Sequence, residues 1–227
     1  MPIAPKPKFK AVLFDLDGTL VEFKFKVRES RLALIDWLSR NGFETHEFTA
    51  ETKTQQIFDA VKVQSESKKV PIRYDSVKKT LSDILDQFEF ESFALAKPHP
   101  GSLHLLKRLK DAQVLTAIVT NSGRRPVNST LGTFGFLPYL ALIITRDEMA
   151  SLKPEPDGIL KAMNDLHVTN DESIYVGYSV IDIQAARKAG VSCIALSQGM
   201  YSGQLLAKEE PDYLISSIEE VEDIVFS

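Results

Sequence analysis

Ala11-Val12-Leu13-Phe14-Asp15-Leu16-Asp17-Gly18-Thr19-Leu20 begins as four apolar residues in a row, then sets two acids two positions apart and turns at a glycine. An apolar run this short suits a strand buried on both faces. Ligands of open parallel sheets bind outside the carboxyl ends of strands. Asp15 and Asp17 at that edge make a negative pocket suited to a hard divalent cation. Gly18 lets the backbone leave the sheet sharply. One carboxylate can attack phosphorus, and the other can pass a proton to the leaving oxygen. A plain Asp-Gly turn would leave Asp15, placed directly after an apolar run, without a reason.

Five more short apolar runs follow: Val114 to Val119, Leu140 to Thr145, Ser173 to Val176, Ser192 to Leu196 and Tyr213 to Ile215. Helix-period stretches separate most of them, at Pro100 to Ala112, Pro156 to Leu166 and Ile181 to Ala189, the last stopped by Gly190. Strands alternating with helices imply a parallel, doubly wound sheet. Residues 27 to 97 break the pattern. They hold no convincing buried strand, and Arg28 to Arg40, Ala50 to Val63 and Asp75 to Phe88 have helical spacing, so a helical insert of about three or four helices is expected. Val21 to Val27 alternates apolar and polar residues and suggests a short hairpin into the insert. Residues 65 to 72 read as a polar connection.

The chain has 227 residues, 44% of them hydrophobic, enough for a substantial core. A net charge of −4 argues against a broad nucleic-acid footprint. No apolar run approaches membrane-spanning length. The start, Met1 to Lys8, lacks the apolar region of an export signal. With a single cysteine, Cys193, a reducing cytoplasm is the expected location. A small metabolite is the expected partner, with neither nucleic acid nor membrane, and the chain is expected to be a monomer or weak homodimer.

Three later motifs also fall at strand ends or before helices. Thr120-Asn121-Ser122-Gly123 offers a hydroxyl, an amide and backbone N–H groups for phosphate oxygens, although the same residues make an ordinary strand-to-helix turn. Lys153, followed by Pro154, can neutralise a nucleophile and a phosphoryl group, although most lysines in loops are solvated. Gly177-Tyr178-Ser179-Val180-Ile181-Asp182 sets an acid in the first turn of a helix, where the helix dipole alone would also favour one.

In this order the four motifs resemble the haloacid dehalogenase-like superfamily, over essentially the whole chain, near its phosphoglycolate phosphatase and β-phosphoglucomutase branch. The resemblance implies an α/β fold: a three-layer, Rossmann-like core with a parallel sheet at residues 1–20 and 98–227, and an inserted α-helical cap at 21–97. A cap of this kind implies opening and closing that excludes water. The resemblance also implies a magnesium-dependent phosphatase of a small phosphorylated metabolite. Asp15 would be nucleophile and metal ligand, and Asp17 acid/base and metal ligand. Thr120 and Asn121 would bind phosphate, and Lys153 would steady both nucleophile and phosphate. Phosphatases and phosphomutases share these motifs.

One position departs from the pattern. The family's first acid in the fourth motif, a direct magnesium ligand, is Tyr178 here. A phenol with a pKa of about 10 is a poor magnesium ligand at neutral pH. Three readings follow: Asp182 takes over the metal, directly or through water; the chain is a weakened phosphate-binding or regulatory relative; or it is a metal-free 2-haloacid dehalogenase, against which the presence of Asp17 counts. The charged residues Lys24, Lys26, Arg28, Arg124 and Arg125 are read as solvated surface, and the four histidines receive no role.

Overall fold

The computed structural model of the chain describes residues 6–67, 70–197 and 203–227. Met1 to Pro5, and Lys68 and Lys69 within the polar connection, lie outside the described residues. Two compact units emerge: Met1–Phe23 with Ala96–Ser227, and Lys24–Leu95. The expected boundaries stood at residues 20/21 and 97/98.

The first unit is built on a six-stranded parallel sheet. In chain order its strands are β1 (Ala11–Phe14), β4 (Leu115–Val119), β5 (Leu142–Ile144), β6 (Ser173–Gly177), β7 (Ser192–Leu196) and β8 (Tyr213–Ile215). Their order in space is β5-β4-β1-β6-β7-β8, so the chain winds one way from β1 and then returns to its other side. Leu13 of β1 stands opposite Ala117 of β4 and Tyr175 of β6. All four β1 residues are fully buried, as strands covered by helices on both faces require.

The helices of this unit are α4 (Ser102–Asp111), α5 (Arg124–Thr133), α6 (Asp157–Leu166), α7 (Val180–Ala189), α8 (Gly203–Ala207) and α9 (Glu220–Val225). On one sheet face, Leu13, Ala117, Val119 and Tyr175 pack with Ile159 and Ala162 of α6 and with Ile183 and Ala186 of α7. Cys193 lies in the same cluster as a small buried hydrophobe, and burial pushes its thiol pKa up. Gly190 ends α7 in the left-handed conformation at φ 70°.

The second unit contains α1 (Val27–Arg40), α2 (Thr54–Glu66) and α3 (Tyr74–Phe93). Leu34 and Leu38, Ile57 and Val61, and Val77, Leu81 and Leu85 recur every four residues, so each helix turns one apolar face into a shared core. The expected hairpin at 21–27 is different in the structure. Val21 and Glu22 form β2, which pairs antiparallel with β3 (Lys97–Pro98), while Val27 already begins α1. A two-residue strand has too few side chains for alternation to reveal its partner. Among the described residues no helix is long and apolar enough to cross a membrane.

Candidate active site

The site grows from the carboxyl ends of β1, β4 and β6, where the winding direction of the sheet reverses. Asp15 follows β1 directly, and its backbone N–H donates to Val176 C=O at 2.8 Å. The acid is therefore held by the same ladder that holds the strand. It is 4% exposed. Its Oδ2 accepts the Thr19 hydroxyl at 3.1 Å, and its Oδ1 accepts Lys153 Nζ at 2.7 Å.

Lys153 enters from the loop before α6, and its ammonium is fully partnered. Besides Asp15, its three N–H groups have Asp182 Oδ1 at 2.7 Å, the Tyr175 hydroxyl at 2.9 Å and Val119 C=O at 3.1 Å as acceptors, so at least one donor is shared. Burial opposes the charge on Lys153, but Asp15 and Asp182 outweigh it and raise its pKa. For Asp15 burial dominates. Lys153 opposes it, Asp182 and Asp17 add to it, and the carboxyl is pushed up to about 8. Asp15 and Asp182 thus share a single ammonium, with the Asp17 carboxyl group close enough to raise the Asp15 pKa further.

Asp17 is held from the opposite side. Its Oδ2 accepts the hydroxyls of Thr120 at 3.0 Å and Ser122 at 2.6 Å. Thr120 Oγ1 also accepts the Ser122 N–H at 3.1 Å, which closes the turn after β4. The side chain of Asn121, a residue expected to bind phosphate, lies against the backbone of Lys153: Oδ1 accepts the Lys153 N–H at 2.9 Å, and Nδ2 donates to the Lys153 C=O at 3.1 Å.

Asp182 caps its own helix. Its Oδ2 accepts the Ser179 N–H at 3.0 Å and the Ser179 hydroxyl at 2.5 Å. The Ser179-x-x-Asp182 spacing is the sequence signature of such a box. Its Oδ1 accepts Tyr175 OH at 3.0 Å in addition to Lys153. Tyr178 lays its ring over Gly18; a Cβ built on that glycine would meet Tyr178 Cε2 at 2.5 Å.

The resemblance implies magnesium, and the donor set answers in part. Magnesium is ordinarily held by one or two carboxylates, with waters and substrate phosphate completing the octahedron. Asp15 and Asp17, two neighbouring carboxyl groups at the strand ends, fit that demand. Asp182, expected as a third ligand, accepts hydrogen bonds on both oxygens, as Asp15 does, and Tyr178 offers no carboxylate. Among the described residues no three His, Cys, Asp or Glu side chains are grouped so as to hold a metal.

The structure therefore brings Asp15, Asp17, Thr120, Lys153 and Asp182 together. Sequence reasoning did not single out Ser122, Tyr175 or Arg146, and it saw Ser179 only as part of a motif. The Ser179 cap had a readable spacing. Tyr175 did not, since a tyrosine inside an apolar strand reads as core. The surface cations expected to be solvated include Arg124, which bonds Glu148 at 2.8 Å, and Lys26, which bonds Glu91 at 2.9 Å.

Fold and site define a Rossmann-like α/β protein with a carboxylate–lysine centre at the strand ends. Residues 12–196 match the haloacid dehalogenase-like hydrolase family, and the chain belongs to it; it is an enzyme of the hydrolase class. The chain is 28% identical, over 94% of its length and 96% of the relative's, to the validoxylamine A 7'-phosphate phosphatase of Streptomyces hygroscopicus subsp. limoneus. It is 29% identical, over 93% of its length and 78% of the relative's, to phosphoglycolate phosphatase 1 of Pseudomonas aeruginosa. The solved structure of a subfamily IA hydrolase of the superfamily from Geobacter sulfurreducens matches with a TM-score of 0.58, at 20% identity, covering 98% of this chain and 99% of that one.

Proposed function

We propose that the protein is a magnesium-assisted phosphomonoesterase of a small phosphorylated metabolite, working through an aspartyl phosphate on Asp15. The observation that carries this reading is the buried contact between Asp15 and Lys153 beside an Asp17 gripped by two hydroxyls. Relatives named as phosphatases support it.

In the first half-reaction an Asp15 oxygen forms a bond to phosphorus as the bond to the leaving oxygen breaks. Asp17 gives its proton to that leaving oxygen. In the second half, water attacks the phosphorus and returns a proton to Asp17. The bond from phosphorus to Asp15 breaks, and inorganic phosphate departs. Two hydroxyl donors on Asp17 Oδ2 fix the carboxyl group for both transfers. Lys153 holds Asp15 in one orientation and supplies a fixed positive charge where negative charge concentrates. Magnesium, when bound through Asp15 and Asp17, supplies further positive charge to the phosphoryl oxygens. The single cysteine supports a reducing cytoplasm as the place of action.

A second reading, a phosphate-binding relative with weakened catalysis, is favoured by one observation: Tyr178 stands where a metal-binding acid would serve. Phosphate release from p-nitrophenyl phosphate and 2-phosphoglycolate, measured with magnesium and with chelator, separates the two. Metal-dependent release that disappears in Asp15→Asn supports the phosphatase. Phosphate binding without turnover on any of a panel of phosphorylated metabolites supports the weakened relative.

A further inference from the structure

Arg146, just after β5, is the largest fully buried side chain among the described residues, at 1% exposure. A guanidinium taken out of water is costly unless its donors are bonded. Arg146 Nη1 donates to the backbone carbonyl of Asn121 at 2.9 Å, and the Arg146 N–H donates to the Ser122 carbonyl at 3.0 Å. Arg146 therefore grips the turn after β4 at two consecutive residues.

The Asn121 side chain passes this constraint onward. Its amide makes paired bonds to the N–H and C=O of Lys153. A lysine side chain has a flexible four-carbon stem, so an ammonium bonded to Asp15 is well aimed only if its backbone is fixed. The turn after β4 and two points of the single loop between β5 and α6 are joined residue to residue, from Arg146 to Asn121, to Lys153 and to Asp15.

We propose that Asn121 and Arg146 are a pair of positioning residues that fix the backbone of Lys153 and so its ammonium on Asp15, the Asn121 side chain serving this purpose instead of holding substrate phosphate. The kinetic part of the test rests on the phosphatase reading, and the chemical part does not.

Asn121→Ala, Arg146→Met, Arg146→Lys and the double variant Asn121→Ala/Arg146→Met are compared with the wild type. Asn121→Ala and Arg146→Met are each expected to lower kcat by about tenfold or more while KM stays within about threefold. Arg146→Lys, which keeps one donor for the Asn121 carbonyl, retains more of kcat than Arg146→Met. Residues acting in series give a double variant no worse than the poorer single one. In parallel, the rate at which an amine-reactive ester labels Lys153 is read by peptide mass spectrometry. It is expected to rise by about tenfold in Asn121→Ala, because the buried ammonium loses its fixed seat.

A raised KM with intact kcat in Asn121→Ala would make Asn121 a phosphate ligand and overturn the proposal. So would fully additive losses in kcat, or unchanged Lys153 labelling. If the wild type turns over no phosphomonoester, the phosphatase reading fails and the labelling rates alone decide this inference. If Arg146→Met does not fold, Arg146→Lys and Asn121→Ala carry the comparison.

Discussion

Lys153 Nζ lies 2.7 Å from Asp15 Oδ1, with side chains 3% and 5% exposed. Water screens this pair very little, and Asp182 shares the same ammonium at 2.7 Å. Replacing Lys153 by methionine leaves Asp15 and Asp182 facing each other with no cation between them. Turnover should fall by about 100- to 1,000-fold, the scale of losing one fixed electrostatic group in a reacting site. Stability should fall by about 3–5 kcal/mol, the scale for removing the cation from a buried charge cluster. The kcat of the variant and its urea midpoint check both.

Asp15 makes the reverse statement about stability. Its folded pKa, pushed up to about 8 chiefly by burial, lies well above the usual carboxylate range. The folded state therefore holds a proton that the unfolded state has released, and this group costs stability as pH rises from about 4 to about 8. Asp15→Asn removes that cost and abolishes turnover. In metal-free buffer its melting temperature should exceed that of the wild type by a margin that grows between pH 5 and pH 8. A margin that shrinks over that range would show that Lys153 prevails over burial.

Tyr178 stands where the family pattern places a metal-binding acid. Tyr178→Asp adds a carboxylate to a pocket whose own Asp182 accepts bonds on both oxygens. The variant should bind manganese, read by the loss of its free paramagnetic signal, at least about tenfold more tightly than the wild type, since magnesium-type ions gain affinity with each carboxylate. Equal affinity in the two proteins would mean that Tyr178 does not border the cation position.

Gly18 and Tyr178 should behave as a coupled pair. At φ +84° Gly18 occupies a region costly for other residues, and an added Cβ would meet Tyr178 Cε2 at 2.5 Å. Gly18→Ala should cost about 1–3 kcal/mol from the contact, with about 1 kcal/mol more from the backbone. In a Tyr178→Ala background the contact disappears and the backbone cost remains. A double-mutant cycle by chemical denaturation should show that difference as coupling.

Much of the site was legible because its chemistry sits where the pattern breaks. Asp15 follows an apolar run that a strand buried on both faces demands, and Asp17 and Gly18 follow at fixed spacing. Lys153 became legible through the family resemblance. Asp182 was read as an acid in the first turn of a helix, but whether its Oδ1 would meet a cation or a lysine depended on a residue 29 positions away. Asn121 is instructive in the other direction. Its place in the turn suggested phosphate, and its amide reaches the backbone of a loop 32 residues on.

Apolar runs, their alternation with helices and a helical stretch at 27–97 are local properties of the chain, and periodicity records them directly. Hence the parallel sheet, the helical insert and the placing of an acid at the end of the first strand could be read from residue order. The strand order, the pairing of Val21 with Pro98 and the four partners of Lys153 could not. Neither could the burial of Arg146 against Asn121. These relations join residues far apart in the chain, and a charged or amide side chain takes whichever partner the folded backbone places within about 3 Å of it.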